Sequence, residues 1–189
     1  MSRPLKLLLV EDSADDAELV LAVLRSGGYE PRHRRVQTGE ALSEALAAED
    51  WDIVLSDYSM PGFDAPAALA LLRKDGRGIP VIVISGTVGE DVAVETLQLG
   101  AVDYLLKANL TRLLPAIERA IRTAEESRLR RIAEGTLRRN AQIFAQLGES
   151  VLCTDLQGMI TYWNPGASAL HGWTAGEMLG RSINRLFPE

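Results

Sequence analysis

Residues 52–62 read Asp-Ile-Val-Leu-Ser-Asp-Tyr-Ser-Met-Pro-Gly, an apolar run that ends in the carboxylate of Asp57 and a turn. Short apolar runs bounded by turn signals are typical of buried β-strands. In open parallel α/β sheets, ligands bind beyond the carboxyl ends of the strands. The sequence therefore places Asp57 where a ligand site would form, although an Asp before Met-Pro-Gly also occurs in ordinary turns.

Strand-like and helix-like segments alternate on both sides of this stretch, which indicates βαβ units and a parallel sheet. Ser13, Thr38 and Asp64 stand where each can cap the helix that follows. The stripe predicted to be buried in the first helix consists of Leu19, Val20, Val23 and Leu24. The predicted strands cover residues 6–10, 32–36, 53–56, 81–84 and 103–106.

Polar residues follow four of the five strands: Glu11 and Asp12, Asp57, Ser85 and Lys107. The second strand is polar throughout and is therefore predicted at an edge. Right-handed crossovers then give the strand order 2-1-3-4-5, with the topological switch point between strands one and three. Each polar residue alone could be a helix-start charge, a turn residue or a solvated cation. Together they predict a site at one end of the sheet.

The polar residues at the strand ends together favour one kind of reaction. Three carboxylates repel one another unless a hard cation neutralises them. Mg²⁺ is bound in proteins by one or two carboxylates with carbonyl, water and phosphate oxygens, and it is therefore the implied cofactor. Asp57 would then be a nucleophile toward a phosphoryl group, while Lys107 and Ser85 offset charge on the phosphoryl oxygens. The predicted product is an aspartyl phosphate.

Residues 1 to 122 resemble the receiver domain of two-component response regulators. The resemblance rests on Glu11-Asp12, Asp57 with Met60-Pro61-Gly62, Ser85-Gly86 and Asp103-Tyr104-Leu105-Leu106-Lys107. It implies a flavodoxin-like, doubly wound sheet of five parallel strands, and it makes Asp57 the phosphoacceptor. The other implied roles are Mg²⁺ ligation by Glu11, Asp12, Asp57 and the backbone carbonyl of Ser59, phosphoryl contact by Lys107, and switching by Ser85 and Tyr104.

One position departs from the family pattern. The lysine of receiver domains is usually followed by a cis-proline, whereas Ala108 follows Lys107 here. A cis peptide bond before a residue other than proline costs about 2.5–4 kcal/mol. We therefore expect a trans bond between these two residues.

A long helix is predicted over residues 115–147, where charges are dense and no proline follows Pro115. Its apolar positions begin with three-four-three spacing from Leu114 and then become irregular. The segment could be a single solvated helix. Alternatively, it extends the last receiver helix and pairs with its counterpart in a parallel homodimer, as a coiled-coil linker.

Residues 148–189 resemble the N-terminal part of a PAS sensory domain. The motifs are a hairpin-like opening followed by Asn164-Pro165-Gly166-Ala167, His171-Gly172-Trp173 and Glu177-Met178-Leu179-Gly180. They cover under half of such a domain, so the chain is expected to be a fragment of a longer protein. His171 is expected to be a packing or surface residue rather than a haem ligand.

The composition of the chain limits the class of protein and the compartment that we expect. Hydrophobic residues make up 47% and charged residues 24% of the chain, as in ordinary globular proteins. A formal net charge of −6 argues against a nucleic-acid surface in this segment. The single cysteine, Cys153, excludes an internal disulfide framework and fits a cytoplasmic setting. No run is long enough to span a membrane, and no membrane contact is expected.

Three functions remain open. The favoured one is a signal-transduction receiver that takes a phosphoryl group from a histidine kinase or phosphotransfer protein and relays its state through the helix to a PAS and output region. Such a module is a phosphoacceptor rather than an enzyme, although a longer chain could carry a kinase or cyclic-dinucleotide domain. The alternatives are an Mg²⁺-dependent phosphatase or phosphotransferase of similar fold, and a dimerisation scaffold that works without phosphorylation.

Overall fold

The computed structural model of the chain describes residues 2–86, 89–146 and 149–186, with side chains throughout except at 90 and 137–146. It divides into two compact units, Met1–Arg128 and Leu129–Glu189.

Strands and helices alternate in the first unit. Its strands are β1 (Arg3–Val10), β2 (Tyr29–Val36), β3 (Ile53–Asp57), β4 (Val81–Ser85) and β5 (Asp103–Leu106). Its helices are α1 (Ala14–Ser26), α2 (Gly39–Ala48), α3 (Ala65–Asp75), α4 (Glu90–Gln98) and the first part of α5 (Leu113–Gln146). The strands are parallel in the order β2-β1-β3-β4-β5, which confirms the predicted fold class.

Two strands begin earlier than the sequence predicts, and β3 and β4 each end one residue later. β1 and β2 each begin three residues before the predicted start, because their pairing already begins between Arg3 and Tyr29. Leu5 and Tyr29 are buried in this part of the pairing, but exposed Arg3, Pro4 and Glu30 interrupt the hydrophobic pattern. Backbone groups make the ladder there.

The predicted caps of three helices are confirmed. Ser13, Thr38 and Asp64 each accept a hydrogen bond from the backbone N–H three residues further on, at 3.2, 3.2 and 2.9 Å. Each bond satisfies one of the N–H groups that a helix start leaves unpaired. Because Ser13 caps α1, the first turn of this helix begins directly after Glu11 and Asp12.

Alternate residues of β1 pack against opposite faces of the sheet. Leu5, Leu7 and Leu9 belong to the core with α1 and α5, whereas Leu8 and Val10 belong to the core with α2 and α3. All five side chains are at most 2% exposed. A shift of one residue would exchange the two faces, so this burial fixes the register that brings Glu11 to the end of the sheet.

The prediction for the buried stripe of α1 is wrong at Leu19, whereas Val23 is partly buried against the core. Leu19 is 49% exposed, and Leu21 is buried instead. The buried residues are Ala17, Val20, Leu21 and Leu24, which follow the i, i+3, i+4, i+7 spacing of one helix face. Leu19 lies outside that face.

Helix α5 begins two residues earlier than predicted, after a 3₁₀ turn at Leu110–Arg112. Leu113 and Ile117 are fully buried against the sheet, whereas Leu129 and Ile132 are 61% and 56% exposed. The predicted helix end at Leu147 and the predicted start of the next unit at Gly148 lie outside the described residues. Among the helices that the structure describes, none combines the length and hydropathy needed to cross a membrane.

After the last part of α5, the second unit contains the predicted hairpin. β6 (Leu152–Thr154) and β7 (Ile160–Trp163) are antiparallel, and α6 (Pro165–His171) and α7 (Ala175–Met178) follow. Ile160, Trp163, Ala167 and Met178 form a small core. The ring of His171 lies 5.5 Å from that of Trp163, between centroids, as a packing residue would.

Buried Asn164 connects three segments of this unit. Its Oδ1 accepts hydrogen bonds from the N–H of Ala167 at 2.7 Å and of Val151 at 2.9 Å. Its Nδ2 donates to the Glu149 carbonyl at 2.9 Å. The residue therefore caps α6 and also holds the chain that leads into β6.

Candidate functional site

The carboxyl ends of the central strands bring the predicted residues to one edge of the sheet. Val10 of β1 pairs with Ser56 of β3, so the residues that directly follow β1 lie beside the end of β3. Asp57 ends β3 and pairs with Ile84 of β4. The site therefore lies at the switch point between β1 and β3, where ligands of doubly wound sheets bind.

Three carboxylates converge at this edge. Glu11, Asp12 and Asp57 each place an oxygen within 4.8 Å of the others. Glu11 is buried, Asp57 is mostly buried and Asp12 is exposed, so the cluster is open to solvent on one side. Hard oxygen ligands at this spacing fit Mg²⁺, which would neutralise the cluster and offset charge on a bound phosphoryl group.

Lys107 joins this cluster from the end of β5. Its Nζ donates to Glu11 Oε2 and Asp57 Oδ2, both at 2.9 Å, and to Asp16 Oδ2 at 2.6 Å. The backbone N–H of Lys107 donates to the Ser85 carbonyl at 2.7 Å, which fixes where its side chain starts. The ammonium is thus 2.9 Å from an oxygen of Asp57, the residue that the sequence predicts as the nucleophile.

Burial and pairing shift the pKa values of two groups. Burial raises the pKa of Glu11, and hydrogen bonds from Lys107 and the Ser13 N–H offset only part of that rise. Burial alone would lower the pKa of Lys107, but its hydrogen bonds to three carboxylates outweigh burial and raise that pKa. Lys107 therefore remains a permanent positive charge at neutral pH.

Ser85 and Tyr104 lie on neighbouring strands beside this lysine. Ser85 ends β4 and is 2% exposed. Tyr104 of β5 pairs with Val83, is half-buried, and lines a shallow groove of about 230 Å³ together with Gly89 and Ala93 at the start of α4. The two residues named as switch positions thus lie between the acidic cluster and the α4–β5 surface.

The turn after Asp57 is anchored at both ends. Met60 and Phe63 are buried in the core below it, and Gly62 adopts a φ of 78°, which favours glycine. Ser59 is exposed directly before these anchors, two residues past Asp57. Its backbone carbonyl stays a predicted Mg²⁺ ligand. The structure has no cis peptide bond among the residues it describes, as expected for Lys107 and Ala108.

Sequence reasoning missed two residues of the site. Asp16, in the first turn of α1, binds Lys107. Arg35, near the end of β2, donates to the backbone carbonyls of Glu11 at 3.1 Å and Asp12 at 2.8 Å. Asp16 stands three residues after the N-cap Ser13, in the first turn of the helix that follows Glu11 and Asp12, and that place was the only sequence signal for it.

A doubly wound five-stranded sheet with a carboxylate cluster and a lysine at its switch point defines a receiver-type signalling module. The chain belongs to the response regulator receiver domain family, whose model matches residues 7–118. A second model, the PAS fold, matches residues 138–189. The receiver domain is therefore followed by a PAS segment, as the sequence motifs indicate.

Similar proteins include transcriptional regulators of several bacteria. The response regulator protein FleR of Pseudomonas aeruginosa is 38% identical over 58% of this chain and 23% of its own length. NtrX of Azorhizobium caulinodans is 30% identical over 87% of this chain and 36% of its own length. ZraR of Escherichia coli is 27% identical over 94% of this chain. The chain spans at most 40% of the length of these relatives.

Solved structures share the fold of the first unit. The receiver domain of the sensor histidine kinase PA1611 from Pseudomonas aeruginosa, which has a magnesium ion in its active-site cleft, is 29% identical with a TM-score of 0.54. The match covers 62% of this chain and 98% of that domain. NtrX from Brucella abortus is 25% identical with a TM-score of 0.61, over 79% of this chain and 36% of that protein.

Proposed function

We propose that this chain accepts a phosphoryl group on Asp57, in an Mg²⁺-dependent reaction, from a histidine kinase or phosphotransfer protein. The observation that carries this proposal is the position of the Asp57 carboxylate, with Oδ2 2.9 Å from Lys107 Nζ and one oxygen within 4.8 Å of oxygens of Glu11 and Asp12. A nucleophilic carboxylate next to a fixed cation and a hard-cation site is what phosphoryl transfer to an aspartate requires.

In this reaction a carboxylate oxygen of Asp57 forms a bond to phosphorus as the P–N bond of the donor phosphohistidine breaks. The electron pair of that bond leaves with the imidazole. Lys107 offsets negative charge on the phosphoryl oxygens, and the Ser85 hydroxyl donates to one of them. Glu11, Asp12, Asp57 and the Ser59 carbonyl would hold Mg²⁺, which supplies further positive charge.

The phosphoryl group then biases a two-state surface formed by α4, β5 and α5. A hydrogen bond that Ser85 makes only in the phosphorylated state is a differential interaction, and such interactions shift conformational equilibria. Tyr104 connects this change to the surface, because it lines the groove beside α4. Helix α5 continues into the PAS segment and carries the change toward the output region.

The proposed organisation follows the predicted boundaries: a receiver domain over residues 1–122, a signalling helix over 115–147 and a PAS segment over 148–189. In this scheme the chain acts as a phosphoacceptor and has no phosphoester substrate of its own to turn over. The signalling helix also pairs with that of a second copy, so the active form is a parallel homodimer.

Beryllofluoride, which mimics a phosphoryl group, tests the proposal. In nuclear magnetic resonance spectra of the chain, its addition should shift the backbone signals of Asp57, Ser85 and Lys107 when Mg²⁺ is present and leave them unchanged when it is absent. Asp57→Asn should abolish the shifts, because the variant lacks the carboxylate that beryllium binds. Asp15→Asn, an exposed control on α1, should keep them. Equal shifts in Asp57→Asn would refute the proposal.

A further inference from the structure

Lys107 has a third partner that lies outside the receiver motif. Asp16 Oδ2 is 2.6 Å from Lys107 Nζ, which is shorter than the 2.9 Å contacts to Glu11 and Asp57. An ammonium group has three N–H donors, and here each has a carboxylate acceptor. A phosphoryl oxygen that binds Lys107 must therefore displace one of these three carboxylates.

Exposure decides which carboxylate is released at least cost. The side chains of Glu11 and Asp57 are 7% and 10% exposed, whereas that of Asp16 is 39% exposed. A carboxylate that loses an ammonium must regain hydrogen bonds from water, and a buried carboxylate cannot do so. Asp16 is also in the first turn of α1, where the helix dipole favours a negative charge. Asp16 is thus the partner that can leave.

We propose that Asp16 is a positioning residue of the phosphoryl-transfer site, which holds Lys107 Nζ against Glu11 and Asp57 and yields this contact to the incoming phosphoryl oxygen. The inference rests on the proposed function, since it concerns the same site. It assigns Asp16 opposite effects on the two ligands. Its negative charge favours the binding of Mg²⁺, whereas its competition for Lys107 weakens the binding of the phosphoryl group.

The test compares two variants of the whole chain that lose one negative charge from adjacent positions. Asp16→Asn keeps the side-chain shape, and Asp15→Asn removes a charge from the exposed neighbour on α1. Both lose the same helix-dipole interaction, so the comparison isolates the contact with Lys107. Calorimetric titration gives the affinity for Mg²⁺ and then, at saturating Mg²⁺, the affinity for beryllofluoride.

Asp16→Asn should weaken Mg²⁺ binding and strengthen beryllofluoride binding, each by roughly threefold to tenfold, as expected for one unit charge a few ångströms away in a largely aqueous dielectric. Asp15→Asn should change either affinity by less than about twofold, because its charge is more distant and screened. Asp16→Glu, which restores the charge, should return both affinities toward the wild-type values. A purely structural role would weaken both ligands together.

Two results distinguish a failure of the role proposed for Asp16 from a failure of the proposed phosphoacceptor function. If the wild-type chain binds beryllofluoride with Mg²⁺ and Asp16→Asn matches Asp15→Asn, or loses both affinities together, the inference is wrong and the proposed function stands. If the wild-type chain binds no beryllofluoride, the proposed function is wrong, and the inference fails with it.

Discussion

Ser85 and Lys107 are adjacent because β4 and β5 are neighbours and the Lys107 N–H donates to the Ser85 carbonyl. This places the serine beside the lysine at the acidic cluster. The backbone bond does not depend on the serine hydroxyl, so the hydroxyl can be removed without moving Lys107. A substitution of Ser85 can therefore test its role in the conformational switch separately from the binding of a phosphoryl group at Asp57.

We predict that Ser85→Ala still takes up beryllofluoride with Mg²⁺, with an affinity about threefold to tenfold weaker, because one hydrogen bond to the bound anion is lost. The accompanying chemical-shift change at Tyr104 should be much smaller than in the wild-type protein. Ser85→Thr, which keeps a hydroxyl, should retain both. Full shifts at Tyr104 in Ser85→Ala would show that Ser85 is not the switch residue.

Among individual site residues, those at or directly after strand ends can be identified from the sequence. Glu11, Asp57 and Lys107 could be placed together because parallel strands share a carboxyl edge. Asp16 and Arg35 could not, since their roles depend on the rotation of α1 and on the register that pairs Leu9 with Arg35. The rotation of α1 and the pairing register of β1 and β2 follow from packing in the whole domain and not from the local sequence.

Among the contacts between secondary-structure elements, those of Arg77 connect the loop after α3 to the end of α2. Its guanidinium donates to Asp75 through Nε at 2.8 Å and Nη2 at 3.0 Å, and to the carbonyl groups of Leu46 and Glu49. The hydrogen bond to Arg77 outweighs partial burial and lowers the pKa of Asp75 below its usual value of 3.8. The pair therefore stabilises the fold only while Asp75 is ionised.

We predict that Asp75→Asn lowers the free energy of unfolding by about 1 kcal/mol at pH 7, a value reduced for solvent screening of a partly exposed pair. Because the folded pKa is below the unfolded one, this contribution is present above about pH 4 and is lost as the pH falls through the folded pKa. Urea unfolding at pH 7 and near pH 3 measures the difference between variant and wild type.

Asp50→Asn is the matched control for that comparison. Asp50 also contacts Arg77, at 3.2 Å, but its side chain is 89% exposed. Water screens such a pair, so its loss should change stability little at either pH. An Asp75→Asn effect that stays constant between pH 7 and pH 3 would contradict the assigned role of the carboxylate charge.

Helix α5 carries the proposed dimer contact. Leu129 and Ile132 are one turn apart on the helix and largely exposed, as expected for an apolar stripe that a second copy covers. We predict that changing both to Gln weakens self-association at least about tenfold, because two buried apolar side chains are lost. Sedimentation at tens of micromolar, with and without beryllofluoride, measures it.

Ser127→Gln is the control for the helix prediction, since Ser127 is exposed and lies on a different side of α5 from Leu129 and Ile132. It should sediment like the wild-type protein. A wild-type chain that remains monomeric under both conditions would contradict dimerisation through α5.

For the whole molecule, the alternation of segments predicted the five-stranded sheet, and the polar second strand together with crossover handedness predicted its order. The strand starts at Arg3 and Tyr29 were not predicted, since exposed Arg3, Pro4 and Glu30 interrupt the hydrophobic pattern there. The PAS segment was recognised from its motifs, but the threefold connection made by Asn164 needed the structure.

Intact-mass spectrometry of the chain with acetyl phosphate tests whether Asp57 is an Mg²⁺-dependent phosphoacceptor. With Mg²⁺, the wild-type chain and Asp15→Asn should each gain the mass of one phosphoryl group, and chelation of the metal should abolish that gain. Asp57→Asn should gain nothing under any condition. A phosphoryl adduct on Asp57→Asn, or equal labelling of the wild-type chain without Mg²⁺, would contradict the account.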